Sequence, residues 1–173
     1  AVTALERMMH RGAIAADGKS GDGSGLLFGM PDKFMRKMAT KEGIDLPETY
    51  GIGVVFTKDD KLLNVVKEKI ENNDLKIILT RKVPINRNAL GELALNTLPN
   101  IYHIFIVPNS LVATKRFEQL LYLSRKEIEN SIDDKDFYIP TMSSKKVAYK
   151  GLVMPTHIKE FYPDLNNIDF EVP

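Results

Sequence analysis

Tyr102-His-Ile-Phe-Ile-Val107 is the stretch on which the reading of the fold turns. Aromatic and β-branched residues fill it and nothing in it breaks a strand, so it reads as a buried β-strand. Outward from it, Leu75 to Val83 reads as a second strand, ended by Pro84, and Leu90 to Leu98 as a short helix between the two. Downstream, Thr114 through Ile132 carries Phe117, Leu120, Leu121, Ser124 and Ile128 at helical spacing, which predicts a long amphipathic helix. Upstream, Tyr50-Gly-Ile-Gly-Val-Val-Phe56 predicts a strand buried on both faces. Asp59-Asp60 can cap a helix carrying Leu62, Leu63, Val65, Val66 and Ile70, which ends at Asn72-Asn73-Asp74. Residues 50–132 therefore suit an α/β insert of strand, helix, strand and helix, ferredoxin-like but one strand short.

The flanks supply the remaining elements. Val2, Leu5, Met8 and Met9 form one apolar stripe, predicting a helix that stops near Gly12 with both methionines as core filler. A loop of small residues from Ala13 to Gly25 feeds Leu26-Leu27-Phe28, read as a buried strand. Pro31 opens a helix with Phe34, Met35 and Met38 inside, and Gly43 ends it. Asp136 to Pro140 and Lys146 to Met154 read as strands, and Pro155 starts a turn or short helix through Phe161 and Tyr162. Helices and strands in this order make an α+β fold of layered sheet and helices.

Composition narrows the function. The chain has 173 residues, suited to one compact domain, with 43% hydrophobic and 27% charged residues. Twenty-four Lys+Arg against 23 Asp+Glu leave a net charge of +1, and no basic groove interleaves with aromatics, so neither nucleic acid nor membrane is an expected partner. No apolar run reaches the roughly 18–20 residues that span a bilayer. The absence of cysteine excludes disulfides, thiolate metal sites and thiol catalysis from within these residues. His10, His103 and His157 lie far apart, without the spacing of a metal site.

Two stretches invite a chemical reading. Gly21-Asp22-Gly23-Ser24-Gly25 is glycine-rich, but it follows a helix and opens a strand, the reverse of a phosphate-binding loop. It is either a tight backbone turn or a place where backbone lies close beside a catalytic residue from another strand. His10-Arg11-Gly12 ends a helix, where Arg11 can compensate the dipole or form an ion pair. Ser143-Ser144 before Lys145-Lys146 reads as a strand-edge turn with solvated lysines.

Taken together, Leu5-Glu-Arg-Met-Met-His-Arg-Gly-Ala13 and Gly21-Asp-Gly-Ser-Gly-Leu-Leu27 resemble the opening of the amidotransferase domain of glutamate synthase large subunits. Met30-Pro-Asp-Lys-Phe34, Arg81-Lys-Val-Pro-Ile-Asn86 with Leu90-Gly-Glu92 and Leu98-Pro99, Phe137-Tyr-Ile-Pro140 with Met142-Ser-Ser144, Val147-Ala-Tyr-Lys-Gly-Leu152 and Phe161-Tyr-Pro-Asp-Leu165 continue the resemblance collinearly. Ser24 stands where the family usually has Ala.

The resemblance implies an N-terminal-nucleophile hydrolase, an αββα sandwich, in which a leading cysteine attacks the amide of glutamine and its own α-amino group serves as base. Glutamate and ammonia result, the ammonia serving the reductive amination of 2-oxoglutarate. Arg11 and Gly12 would neighbour the nucleophile, with the Gly21–Gly25 loop leading into a core strand near the same site. That cysteine would lie roughly twenty residues before Ala1, and an Asn-Gly oxyanion hole and a carboxylate-gripping Arg beyond Pro173. Residues 1–173 are accordingly expected to be a partial glutamine amidotransferase type 2 domain with the insert at 50–132, inactive alone. The resemblance places FMN and an iron–sulfur cluster in the full-length parent and no cofactor or metal in this chain. Partners would be glutamine, the remaining domains of the same polypeptide and a small reductase subunit, in the cytoplasm, with pyridine nucleotide and ferredoxin both open as electron donor. The alternative is a non-catalytic binding or regulatory module on the same scaffold.

Overall fold

The computed structural model describes residues 2–8, 17 and 19–172. Its elements are α1 (Val2–Arg7), β1 (Ser24–Gly29), α2 (Asp32–Lys41), β2 (Gly51–Thr57), α3 (Leu62–Glu71), β3 (Leu75–Lys82), α4 (Glu92–Thr97), β4 (Asn100–Pro108), α5 (Thr114–Ser131), β5 (Tyr138–Ser143), β6 (Lys146–Gly151) and α6 (Ile158–Phe161). Single 3-10 turns cover Arg87–Ala89, Pro155–His157 and Pro163–Asn166. Helices and strands are interspersed, with β5 and β6 consecutive, as an α+β fold whose described residues form one two-stranded and one four-stranded sheet. The chain forms two compact units: residues 1–34, 84–98 and 148–173, and residues 35–83 and 99–147.

The second unit is built on the four-stranded sheet, in the order β3-β4-β2-β5 with every pairing antiparallel. Its fourth strand, Tyr138–Ser143, lies beyond residue 132, and β2, the first of the four in sequence, sits inside the sheet. Val55 of β2, Tyr102, Ile104 and Ile106 of β4, and Ile139 and Met142 of β5 form one core with Val66 and Ile70 of α3 and Phe117, Leu120, Leu121 and Ile128 of α5. The opposite face of β2 is buried too, since Ile52 and Val54 are closed off from solvent beside Phe105 and His103 of β4. An apolar run without alternation is the sequence mark of such a strand. Gly51 and Gly53 keep the helix-facing side shallow: a Cβ at Gly51 would stand 2.8 Å from Leu121 Cδ1.

Turn chemistry sets the ends of these elements. Asp59 Oδ1 accepts the Lys61 amide at 2.9 Å just ahead of α3, whose N-cap is Lys61 with no side-chain cap, so the expected Asp59-Asp60 cap is not formed. Asp60 instead holds Asn100, whose Nδ2 donates to Asp60 Oδ1 at 2.9 Å. Asp74 takes a left-handed φ of 57° after α3, and Gly43 one of 74° after α2. Glu118 of α5 accepts from the Ser143 hydroxyl at 3.0 Å and from the Ser144 amide, which ties the helix to the turn after β5.

The first unit is organised by aromatic rings. Phe28 of β1, Tyr149 of β6, Phe161, Tyr162 and Phe170 meet at ring separations of 4.5 to 6.3 Å, mostly edge to face, and Phe34 reaches Phe170 at 5.1 Å. Among the described residues, β1 pairs with β6 alone. Two expectations fail here. Leu27 is 59% exposed, so of the Leu26-Leu27-Phe28 run only Phe28 is buried, because alternate side chains of a strand point to opposite faces. Met8 is 47% exposed rather than core filler, because α1 ends at Arg7 and Met8 leaves the helical stripe. Met9 and Gly12 lie outside the described residues.

Candidate functional site

His10, Arg11 and Gly12 lie outside the described residues, so the candidate site is built from the loop that follows them. Asp17 closes an Asx-type turn: its Oδ1 accepts the Lys19 amide at 3.0 Å and the Ser20 amide at 2.7 Å, and its Oδ2 accepts the Ser20 hydroxyl. The hydrogen bonds from Ser20, side chain first, hold the Asp17 carboxyl well below the usual carboxylate range. The same groups reach α4. The Leu93 amide donates to Asp17 Oδ2 at 3.4 Å and the Ala94 amide to Ser20 Oγ at 3.3 Å. The roles of Asp17 and Ser20 leave no local pattern in the sequence, because the bonds that tie them to Leu93 and Ala94 span more than seventy residues; Gly91 is legible only as part of the Leu90-Gly-Glu92 motif.

The glycine loop runs on from this anchor. Gly23 has a φ of 102°, a conformation that glycine adopts without cost. Gly25 lies so close to β6 that a Cβ would stand 2.6 Å from Lys150 Cβ. Between them the Ser24 hydroxyl donates to the Val153 carbonyl at 2.8 Å. The loop is thus backbone held against backbone. It presents no arrangement of donors at a helix N-terminus for phosphate.

Beyond β6 the motifs of the last third interlock. Tyr149 Oη donates to Asp164 Oδ2 at 3.0 Å, and Tyr162 Oη donates to the Lys150 carbonyl at 2.7 Å. Burial raises the Tyr162 phenol far above its ordinary value. Tyr149-Lys150-Gly151 and Phe161 to Leu165 therefore cross-bond, each hydroxyl satisfied by the other segment. Asp169 takes Lys33 Nζ at 3.0 Å and anchors the end of the chain nearby.

The other singled-out residues do not assemble a catalytic group. His103 is buried in β4 with Arg81 Nη1 3.5 Å from its Nδ1. His157 closes the Pro155–His157 turn, and its Nδ1 is buried without a hydrogen-bond partner among the described residues. Among the described residues no three His, Cys, Asp or Glu side chains gather to hold a metal ion, and no helix is long and apolar enough to cross a membrane. An open groove of about 540 Å³ runs along α5, lined by Lys115, Arg116, Glu118, Gln119, Tyr122 and Leu123. It is one face of a single helix and brings no nucleophile or base into an enclosed space.

Comparison with known proteins bears on this geometry. The profile of the family described as glutamine amidotransferases class-II matches residues 1–173. The chain is similar to the glutamate synthase [NADPH] large chain of Bacillus subtilis, 36% identical over 174 residues, which cover 96% of this chain and 11% of that protein. It is likewise similar to the ferredoxin-dependent glutamate synthase of Cyanidium caldarium, 36% identical over 99% of this chain and 12% of that protein. The glutamate synthase [NADPH] large chain of Azospirillum brasilense matches at 34% over 98% of this chain and 12% of its own length. The chain spans about a tenth of the length of these relatives.

Proposed function

The chain belongs to the class-II glutamine amidotransferases, and from that premise we propose that it forms part of the glutamine-hydrolysing domain of a glutamate synthase. In this reading a cysteine thiolate supplied by the longer polypeptide attacks the side-chain carbonyl carbon of glutamine and the C–N bond breaks. The leaving amine takes a proton and departs as ammonia, and water then cleaves the thioester to glutamate. Arg11 and Gly12 neighbour the nucleophile, and the Gly21–Gly25 loop lines the same site with backbone. The observation that carries the reading is the family match along the whole chain, supported by glutamate synthases similar over at least 96% of it.

The same reading takes the first unit as part of an αββα sandwich, which the exposed Leu27 on a sheet with two strands among the described residues supports. The antiparallel order β3-β4-β2-β5, with α3 and α5 sharing one core against it, supports a ferredoxin-like insert that runs through β5. Ammonia would go to reductive amination of 2-oxoglutarate elsewhere in the polypeptide, with FMN and an iron–sulfur cluster held there. Iron–sulfur clusters rest on cysteine thiolates, and these 173 residues have none, so they do not fit one. Relatives named for NADPH, NADH and ferredoxin all match nearly the whole chain, so the electron donor is chosen by other parts of the protein.

The test is glutamine hydrolysis by the intact gene product, followed by ammonia release. Wild type is expected to turn over, residues 1–173 alone to release none, and Arg11→Ala in the intact protein to lose at least tenfold in kcat/KM, about 1.4 kcal/mol of transition-state stabilisation. An intact protein without glutaminase activity overturns the enzyme reading in favour of a binding module. Unchanged turnover in Arg11→Ala overturns the placement of Arg11.

A further inference from the structure

We propose that Asp17, Ser20 and Gly91 form a latch that fixes the start of the Gly21–Gly25 loop, and that these three are positioning residues for glutamine hydrolysis. The inference rests on the function proposed above.

Its starting point is the missing cap on α4. The first amides of a helix need acceptors, and Ser, Thr, Asp or Asn at the N-cap supplies one. Here the N-cap is Gly91, which has no side chain to offer. Asp17 and Ser20 take over, accepting from the amides of Leu93 and Ala94. A Cβ at position 91 would crowd Asp17 Oδ2 and stand 2.5 Å from Ser20 Oγ, so a side chain there displaces those two side-chain ends from the α4 amides. The φ of −79° at Gly91 is open to any residue, so the effect of a substitution there is one of space and not of backbone strain.

A six-residue helix would be capped as well by its own serine or aspartate. The arrangement instead gives up the local cap to grip a loop more than seventy residues earlier in the chain. What it grips is the pair of residues, Asp17 and Ser20, that leads into the glycine loop. Ser20, 4% exposed, is the residue directly before Gly21, and Asp17 lies six positions after Arg11. The turn bonds from Lys19 and Ser20 to Asp17 make the gripped piece a closed unit. Displacing Asp17 therefore moves the start of the glycine loop with it. A displacement of about 1 Å at a catalytic loop can cost on the order of a hundredfold in rate.

The experiment uses the intact gene product with three variants, Gly91→Ser, Gly91→Ala and Asp17→Asn, measured for glutamine hydrolysis and for amide exchange at Leu93 and Ala94. Gly91→Ser separates the latch from ordinary helix capping. A serine at the N-cap restores a local cap, yet it pushes Asp17 and Ser20 away. The expected result is a kcat roughly ten- to hundredfold lower in Gly91→Ser and Gly91→Ala, with KM within about twofold of wild type. Asp17→Asn, which replaces one accepting oxygen by a donating NH2 at an exposed position, is expected to lose kcat several-fold and protection at Leu93 and Ala94. Wild-type kcat in Gly91→Ser or in Asp17→Asn overturns the latch while glutamine hydrolysis by wild type still stands. Absence of hydrolysis in wild type overturns the function on which the latch rests.

Discussion

Tyr149 and Tyr162 meet edge to face with ring centres 5.0 Å apart, and each passes its hydroxyl to the segment that carries the other. A buried polar group costs stability when it loses its partner, so such pairs act together. Tyr149→Phe keeps the ring and removes the donor from Asp164, whose carboxyl is 4% exposed. We expect it to cost about 1–3 kcal/mol, read as a lower urea midpoint at unchanged m-value. A midpoint equal to wild type would show that the hydroxyl contributes nothing net. The residues of this pair were legible in the sequence as motifs of a resemblance. Their partners were not, since a hydroxyl fifteen residues from its acceptor leaves no local pattern.

At the scale of the element, α5 shows where periodicity suffices. Phe117, Leu120, Leu121, Ser124 and Ile128 were expected on one face, and these five are the buried residues of the helix. Ser124 is the exception in chemistry: it is fully buried and its Oγ has no hydrogen-bond partner among the described residues. Ser124→Ala removes the unsatisfied hydroxyl and puts a better helix former in its place. We expect a gain of about 1 kcal/mol, seen as a higher Tm, and a lower Tm would reveal a hydrogen bond to that hydroxyl. Apolar spacing marks a face and not a terminus: α1 covers Val2–Arg7, and the expected stop near Gly12 lies outside the described residues.

For the whole molecule, each compact unit contains a buried tyrosine whose phenol is disfavoured as an anion. Burial, then Asp60, pushes Tyr102 up to about 12 in the second unit, and burial raises Tyr162 in the first. A folded pKa above the ordinary value of 10 means that the unfolded chain ionises first. Stability from these groups is therefore complete below pH 10 and is lost as pH rises through the folded values. Each such phenol adds a slope of up to about 1.4 kcal/mol per pH unit. Urea unfolding between pH 9 and 12 should show a shallower fall in Tyr102→Phe than in wild type, and identical slopes would exclude burial of the Tyr102 phenol as the cause.

Sequence alone determined the α+β class and the run of its elements, because apolar period and turn residues are local and each element carries its own. It also supplied the motifs that identify a class-II glutamine amidotransferase, since motifs survive as strings. Only the tertiary structure decided that Leu27 faces solvent, that Tyr138–Ser143 completes the four-stranded sheet, and that α4 takes its cap from Asp17 and Ser20. These outcomes depend on which distant segments share space. That is settled by pairing register and by where a side chain is missing, as at Gly91, and neither is written in any one stretch of the chain.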